Sequence, residues 1–255
     1  MVGGASIAAM AFSILASLGV PGVFLWYFMT RRRIDFLLIR VGMLTFVVAS
    51  QFLEKLLHLY FLRWNTSTAT LLADPWAYAI YGGMAAGIFE ECGRYVAFRF
   101  ILKRFREWRD GIGYGIGHGG IESVVLGALA SLPALIAALQ IDFGAGDGSP
   151  MQTALIAAPA YAFAVSGVER ALAFLFQLAL SLIVLYAVRE GKIRFLFLAI
   201  LLHAAVDFPA ALSQKGVVGL WSVEAFILGV GVASAVFIAV SKRIFDRPAA
   251  VASPA

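Results

Sequence analysis

The chain has 255 residues, of which 62% are hydrophobic and 14% charged, and its mean hydropathy is +0.89. Soluble domains carry about 45–50% apolar and about 25% charged residues, so a water-soluble enzyme is excluded. The single cysteine, Cys92, excludes an intrachain disulfide and a thiolate metal cage, and the formal charge of +5 acquires meaning only once its basic residues are placed.

Apolar runs bounded by charge or by Gly/Pro clusters predict membrane spans over residues 5–29, 35–62, 76–101, 112–139, 164–188, 195–212 and 222–241. The expected fold is all-α, a polytopic bundle of about seven transmembrane helices at some 20 apolar residues each. It forms one domain over 1–247, with 248–255 a short disordered tail. The first run has no Lys or Arg ahead of it and no small-residue cleavage pattern behind it, so it is read as a span rather than a signal peptide.

The connections after spans one, three, five and seven hold Arg31, Arg32 and Arg33, then Lys103, Arg104, Arg106 and Arg109, then Arg189, Lys192 and Arg194, then Lys242, Arg243 and Arg247. The alternate connections hold only Arg63 and Lys215. This alternation places the N-terminus outside and the C-terminus in the cytoplasm. It accounts for the positive charge without nucleic acid and makes the lipid bilayer of a cell membrane the first partner. Residues 140–163 break the pattern with an acidic, glycine-rich loop and a short apolar stretch containing Pro159, which is read as an interfacial or re-entrant element. Trp26, Tyr27, Trp64, Trp76 and Trp221 fall at span ends, as an aromatic belt does.

Ionisable side chains inside a bilayer cost several kcal/mol unless paired, and so mark candidate functional sites. In span three, Gly83, Gly87, Glu90, Glu91 and Arg94 fall on one helical stripe, which predicts that both carboxylates face one neighbour. Glu90 and Arg94 are four apart, a spacing that lets the arginine hold the carboxylate ionised, and the two glycines allow close helix approach. Span four carries His118 and Glu122 on one face, and span six repeats the spacing with His203 and Asp207. Counted at 1.5 Å per residue, these groups lie about 9 to 18 Å from the cytoplasmic helix ends and share one layer. Gln177 falls at similar depth. Glu54, Lys55, His58, Glu169 and Arg170 form a separate group nearer the outer face, with Glu169 and Arg170 read as structural and His58 as interfacial.

Glu90-Glu91-x-x-Arg94-Tyr95, Gly117-His118-Gly119-x-x-Glu122 and His203-x-x-x-Asp207-Phe208 together resemble the YhfC family of intramembrane metalloproteases, which is similar to the CAAX-protease and bacteriocin-processing superfamily. The resemblance spans most of the chain. It implies that the glutamate pair activates water and that histidines and a carboxylate or amide from later helices complete the site. Two departures stand out: the glutamate-to-arginine spacing is one residue shorter than in typical CAAX proteases, and Gln177 stands where a histidine is expected.

Other intramembrane protease chemistries fit less well. There is no His-Glu-x-x-His, no Gly-x-Ser-x-Gly elbow, and Cys92 lies off the polar stripe. Gly144-Ala145-Gly146-Asp147 resembles an aspartyl-protease motif but lies in a loop. The expected activity is therefore hydrolysis of a peptide bond in a membrane-embedded protein or peptide. Glu90, Glu91, Arg94, His118, Glu122, His203 and Asp207 are its candidate residues. Either Glu90 or Glu91 is the general base. His118, Glu122, His203 and Asp207 are candidate ligands of a divalent metal, zinc above all, or act without one. A proton- or ion-coupled transporter built on the same carboxylates is the alternative, as is a non-catalytic scaffold or immunity protein with the same fold.

Overall fold

A computed structural model describes residues 1–146 and 148–247; the tail over 248–255 and Asp147 of the loop motif lie outside the described residues. The described residues form helices and no strand: α1 (Gly4–Arg31), α2 (Phe36–Trp64), α3 (Thr66–Leu71), α4 (75–101), α5 (Trp108–Asp142), α6 (Pro150–Ala157), α7 (Ala160–Arg189), α8 (Arg194–Gln214) and α9 (Leu220–Phe245). Six of these, α1, α2, α5, α7, α8 and α9, are long and apolar enough to cross a membrane. α4 matches the remaining predicted span, and its hydropathy is lowered by Glu90, Glu91, Arg94 and Arg99.

Most helices outrun the apolar runs that predicted them by a few residues, because their ends are built from capping and charged groups that hydropathy does not register. Asp74 caps α4 by accepting from the backbone N–H of Trp76 and Ala77 at 3.0 and 2.9 Å, with Pro75 in the first turn. Asp110 reaches back to the Glu107 N–H at 2.9 Å at the start of α5. Within the 140–163 segment, Ser149 caps the eight-residue α6 and Pro159 starts α7 after a break. Leu155 of α6 packs with Val2, Met10 and Ala138 at one end of the bundle.

α7 is the central helix: 61% of its apolar window is buried, against 17–33% for the other five. It packs against α1, α5, α8 and α9, while α4 lies along α8 and α2 along α5. The glycines of α4 serve the role expected of them. A Cβ on Gly83 or Gly87 would stand 2.7 Å from the Ala204 or Ile200 carbonyl oxygen of α8, so only glycine permits this approach. Large side chains on outward faces, such as Trp26, Trp64 and Trp221, are exposed, as lipid contact requires.

The fully buried core lies toward the connections rich in arginine and lysine, around Phe98, Leu102, Ile112, Tyr114, Leu178 and Leu182. Of four wide helical turns among the described residues, with hydrogen bonds spanning five residues, Tyr60–Trp64 and Ala97–Ile101 end α2 and α4, and two interrupt helices, α2 at Val47–Glu54 and α5 at Ser123–Leu129. Such turns rotate the downstream face and often flank functional groups. Here one ends at Glu54 and the other begins directly after Glu122.

Candidate active site

Mid-membrane, α4, α5, α7 and α8 bring six of the seven candidate side chains into one buried network, with Asp207 at its edge. Adjacent positions on α4 are about 100° apart, and that rotation separates the two glutamates instead of aiming both at one neighbour. Glu90 turns toward α5 and α7. Its Oε2 lies 2.9 Å from His118 Nε2 and accepts from the Gln177 amide at 3.3 Å. Glu91 turns toward α8, where its Oε1 lies 2.8 Å from His203 Nδ1. The i,i+4 pairs read from spacing are thus mostly replaced by bonds between helices: His118 binds Glu90 rather than Glu122, whereas His203 keeps Asp207 at 3.6 Å.

Arg94 is also placed differently from the sequence reading. It is completely buried and serves Glu91, not Glu90, through an ion pair of 3.5 Å from Nε. Its remaining nitrogens donate to α7: to the Gln177 side-chain oxygen at 2.6 Å, the Gln177 carbonyl at 3.1 Å and Ser181 Oγ at 3.2 Å. The amide of Gln177 therefore bridges Arg94 and Glu90, accepting from one and donating to the other. This geometry accounts for an amide where a histidine was expected, because neutral histidine offers one donor and one acceptor on opposite ring edges and could not fork in this way.

Glu122 finds its partner on α7. Arg170 Nη1 lies 3.6 Å from Glu122 Oε1, and Nη2 donates to Glu169 at 2.6 Å. Glu169 and Arg170 therefore join the candidate site instead of standing apart as structural residues. His58 is likewise not a bare interfacial residue: its Nδ1 is 2.8 Å from the Tyr81 hydroxyl and its Nε2 is 3.2 Å from Glu54. A cavity of about 370 Å³ joins the two groups that the sequence reading kept apart, with Glu90, Glu122 and His203 lining it together with Glu54, His58 and Arg170. Glu91 and Arg94 are not in its wall. Sequence could not join these groups because it gives depth along each helix but not the tilt and rotation that bring helices together. Cys92 packs against the apolar core, consistent with its place off the stripe.

Glu90, His118 and Glu122 each offer a ligand atom within 4.8 Å of the others, and all three are buried. His203 and Asp207, also candidate ligands by sequence, stand outside this group, His203 being turned to Glu91. The donor set fits a divalent metal of zinc type: one imidazole nitrogen and two carboxylate oxygens make three protein ligands and leave a fourth position open. Two buried atoms support the fit, since Glu122 Oε2 and His118 Nδ1 have no hydrogen-bond partner among the described residues.

The YhfC intramembrane metalloprotease family matches this chain over residues 13–228. An uncharacterized membrane protein YhfC of Bacillus subtilis (strain 168) is 39% identical over 218 residues, covering 81% of this chain and 84% of the relative. No solved structure matches.

Proposed function

The chain belongs to the YhfC intramembrane metalloprotease family, and from that premise we propose that it is an intramembrane peptidase whose general base is Glu90. The observation that carries this reading is the buried Glu90–His118–Glu122 group, of which Glu90 and Glu122 line a mid-membrane cavity and His118 stands behind Glu90. Of the two adjacent glutamates, Glu90 lines that cavity and Glu91 does not. His118 and Gln177 both engage Glu90 Oε2, which fixes the carboxylate and leaves Oε1 to take a proton from attacking water.

The other members hold or orient. Glu91, itself held by Arg94, accepts from His203 Nδ1–H and so turns Nε2 toward Asp207 and the cavity. From there Asp207 and His203, protonated on both ring nitrogens, face the scissile amide, where His203 Nε2–H donates a hydrogen bond to the developing oxyanion and Glu90 passes the proton it took from water to the leaving nitrogen. Arg94 stays below the cavity as the post that fixes Glu91 and Gln177 together. Glu90, His118 and Glu122 would hold a divalent cation, which would supply Lewis acidity at the same carbonyl when bound.

The test is cleavage of membrane-embedded peptides by protein reconstituted in liposomes, read by mass spectrometry. Wild type cuts a peptide that Glu90→Gln leaves intact while still folding and inserting. Equal cleavage by Glu90→Gln removes Glu90 from the chemistry. Proton- or ion-driven uptake that vanishes in the same variant, without cleavage by wild type, replaces the peptidase with a transporter.

A further inference from the structure

The cavity has a direction. On α4 its lining runs from Tyr78 to Glu90, and on α8 from Gln214 back to His203. On α2 it runs from Leu62 to Ser50. Tyr78, Gln214 and Leu62 lie within a turn of the helix ends that border the 65–74 and 215–219 connections, whereas Glu90, His203 and Ser50 are mid-helix. The remaining walls agree: α7 and α9 line the cavity only as far as Gln177 and Val230, the halves that lead to the same face. At 1.5 Å per residue the lined stretch of α4 spans about 18 Å, roughly half of a bilayer.

The opposite route is closed. Beyond Glu90, the space between α4, α5 and α7 is filled by Arg94, Phe98, Leu102, Tyr114, Leu178 and Leu182, each fully buried. The wall on the open side carries Gln51, Glu54, Lys55 and His58 between the mouth and the floor, with Gln214 exposed at the mouth. A volume of about 370 Å³ holds about a dozen waters at roughly 30 Å³ each. Glu54 Oε2 is buried, lacks a partner among the described residues and belongs to a residue in this wall, so it offers an acceptor to such water.

The face at which the cavity opens bears only Arg63 and Lys215 on its connections, against the arginine-rich clusters of the other face. By the distribution of positive charge this is the extracytoplasmic side. We propose that the cavity is an aqueous vestibule opening to the extracytoplasmic face. Resting on the peptidase reading above, the enzyme then draws its water and releases its polar product on that side. Its substrates are membrane-embedded peptides cut in a segment that descends from the extracytoplasmic face, and not the cytoplasmic juxtamembrane ends of proteins.

Thiol accessibility tests this without reference to cleavage. In a Cys92→Ala background, single cysteines replace Gln51 in the vestibule, Gln214 and Lys215 at its mouth and Arg104 on the basic face. Spheroplasts expressing each protein are treated with a small cationic membrane-impermeant methanethiosulfonate, and the remaining thiols are counted by a maleimide–polyethylene glycol gel shift after denaturation. Gln51→Cys, Gln214→Cys and Lys215→Cys are expected to lose the shift in intact spheroplasts, and Arg104→Cys only after lysis. Retention of the shift by Gln51→Cys while Gln214→Cys and Lys215→Cys lose it overturns the open vestibule. Loss by Arg104→Cys with retention by Lys215→Cys overturns its extracytoplasmic side. Because the readout is access, these outcomes are separate from the failure of any peptide to be cut.

Discussion

Removing the Arg94 side chain tests whether it is the post on which the site stands. Arg94→Leu deletes three hydrogen bonds, of 2.6, 3.1 and 3.2 Å, and the 3.5 Å ion pair to Glu91. Both Arg94 and Glu91 are 0% exposed, so neither can recover its losses from water. Breaking a buried pair by removing one partner costs about 3–5 kcal/mol, because the other charge is left uncompensated. At roughly 2–4 °C per kcal/mol for a chain of this size, the melting temperature falls by about 6–20 °C. Glu91→Gln is milder, about 1.5–3 kcal/mol, since Arg94 keeps its bonds to α7 while His203 loses an ionised acceptor. The double variant is less destabilised than the two singles added together, by about 0.5–3 kcal/mol, because each single leaves a charge that the other removes. The assay is thermal unfolding of detergent-purified protein followed by intrinsic tryptophan fluorescence. An Arg94→Leu protein that melts with wild type, or strict additivity in the cycle, refutes the assignment of Arg94 to a buried structural network.

Glu90→Gln is expected to lower peptide cleavage by about 10²–10⁴-fold while destabilising by about 1.5–3 kcal/mol, as Glu91→Gln does, as judged by product formation in liposomes beside the same unfolding assay. Elemental analysis of purified protein is expected to find a divalent metal that is lost in His118→Ala and in Glu122→Ala but retained in His203→Ala, because His203 is bonded to Glu91 and stands outside the donor group; equal loss in all three variants would place His203 among the ligands. Gly87→Ala sets a methyl 2.7 Å from the Ile200 carbonyl oxygen and is expected to destabilise by about 1–3 kcal/mol, whereas Gly82→Ala, which meets nothing within 4 Å, is expected to be neutral in the same melt.

The class of molecule was legible from composition alone, because a chain this apolar and this poor in charge has no other solvent than lipid. Helix positions were nearly as legible. A span must be apolar for its whole length, so hydropathy marks it to within a few residues, and errors arose at the caps where Asp74 or Asp110 extend a helix with polar groups. The third predicted span coincides with helix α4 despite Glu90, Glu91, Arg94 and Arg99, since Gly/Pro punctuation and flanking charge bounded it. The candidate residues themselves were also readable, for ionisable side chains stand out against the apolar background of a span.

Partnership was another matter. Spacing along one helix suggested Glu90 with Arg94 and His118 with Glu122, yet the folded chain pairs Glu91 with Arg94, Glu90 with His118 and Glu122 with Arg170. A sequence specifies depth and face for each helix separately. Which faces meet depends on the axial rotation and tilt of neighbours, and here these are set by glycine contacts such as Gly87 on Ile200 and by the two wide turns in α2 and α5. For the same reason the union of the Glu54–His58 group with the Glu90 group, and the direction in which their shared cavity opens, were decided only by tertiary structure. A cavity belongs to no single helix, and no periodicity along the chain records the space between six of them.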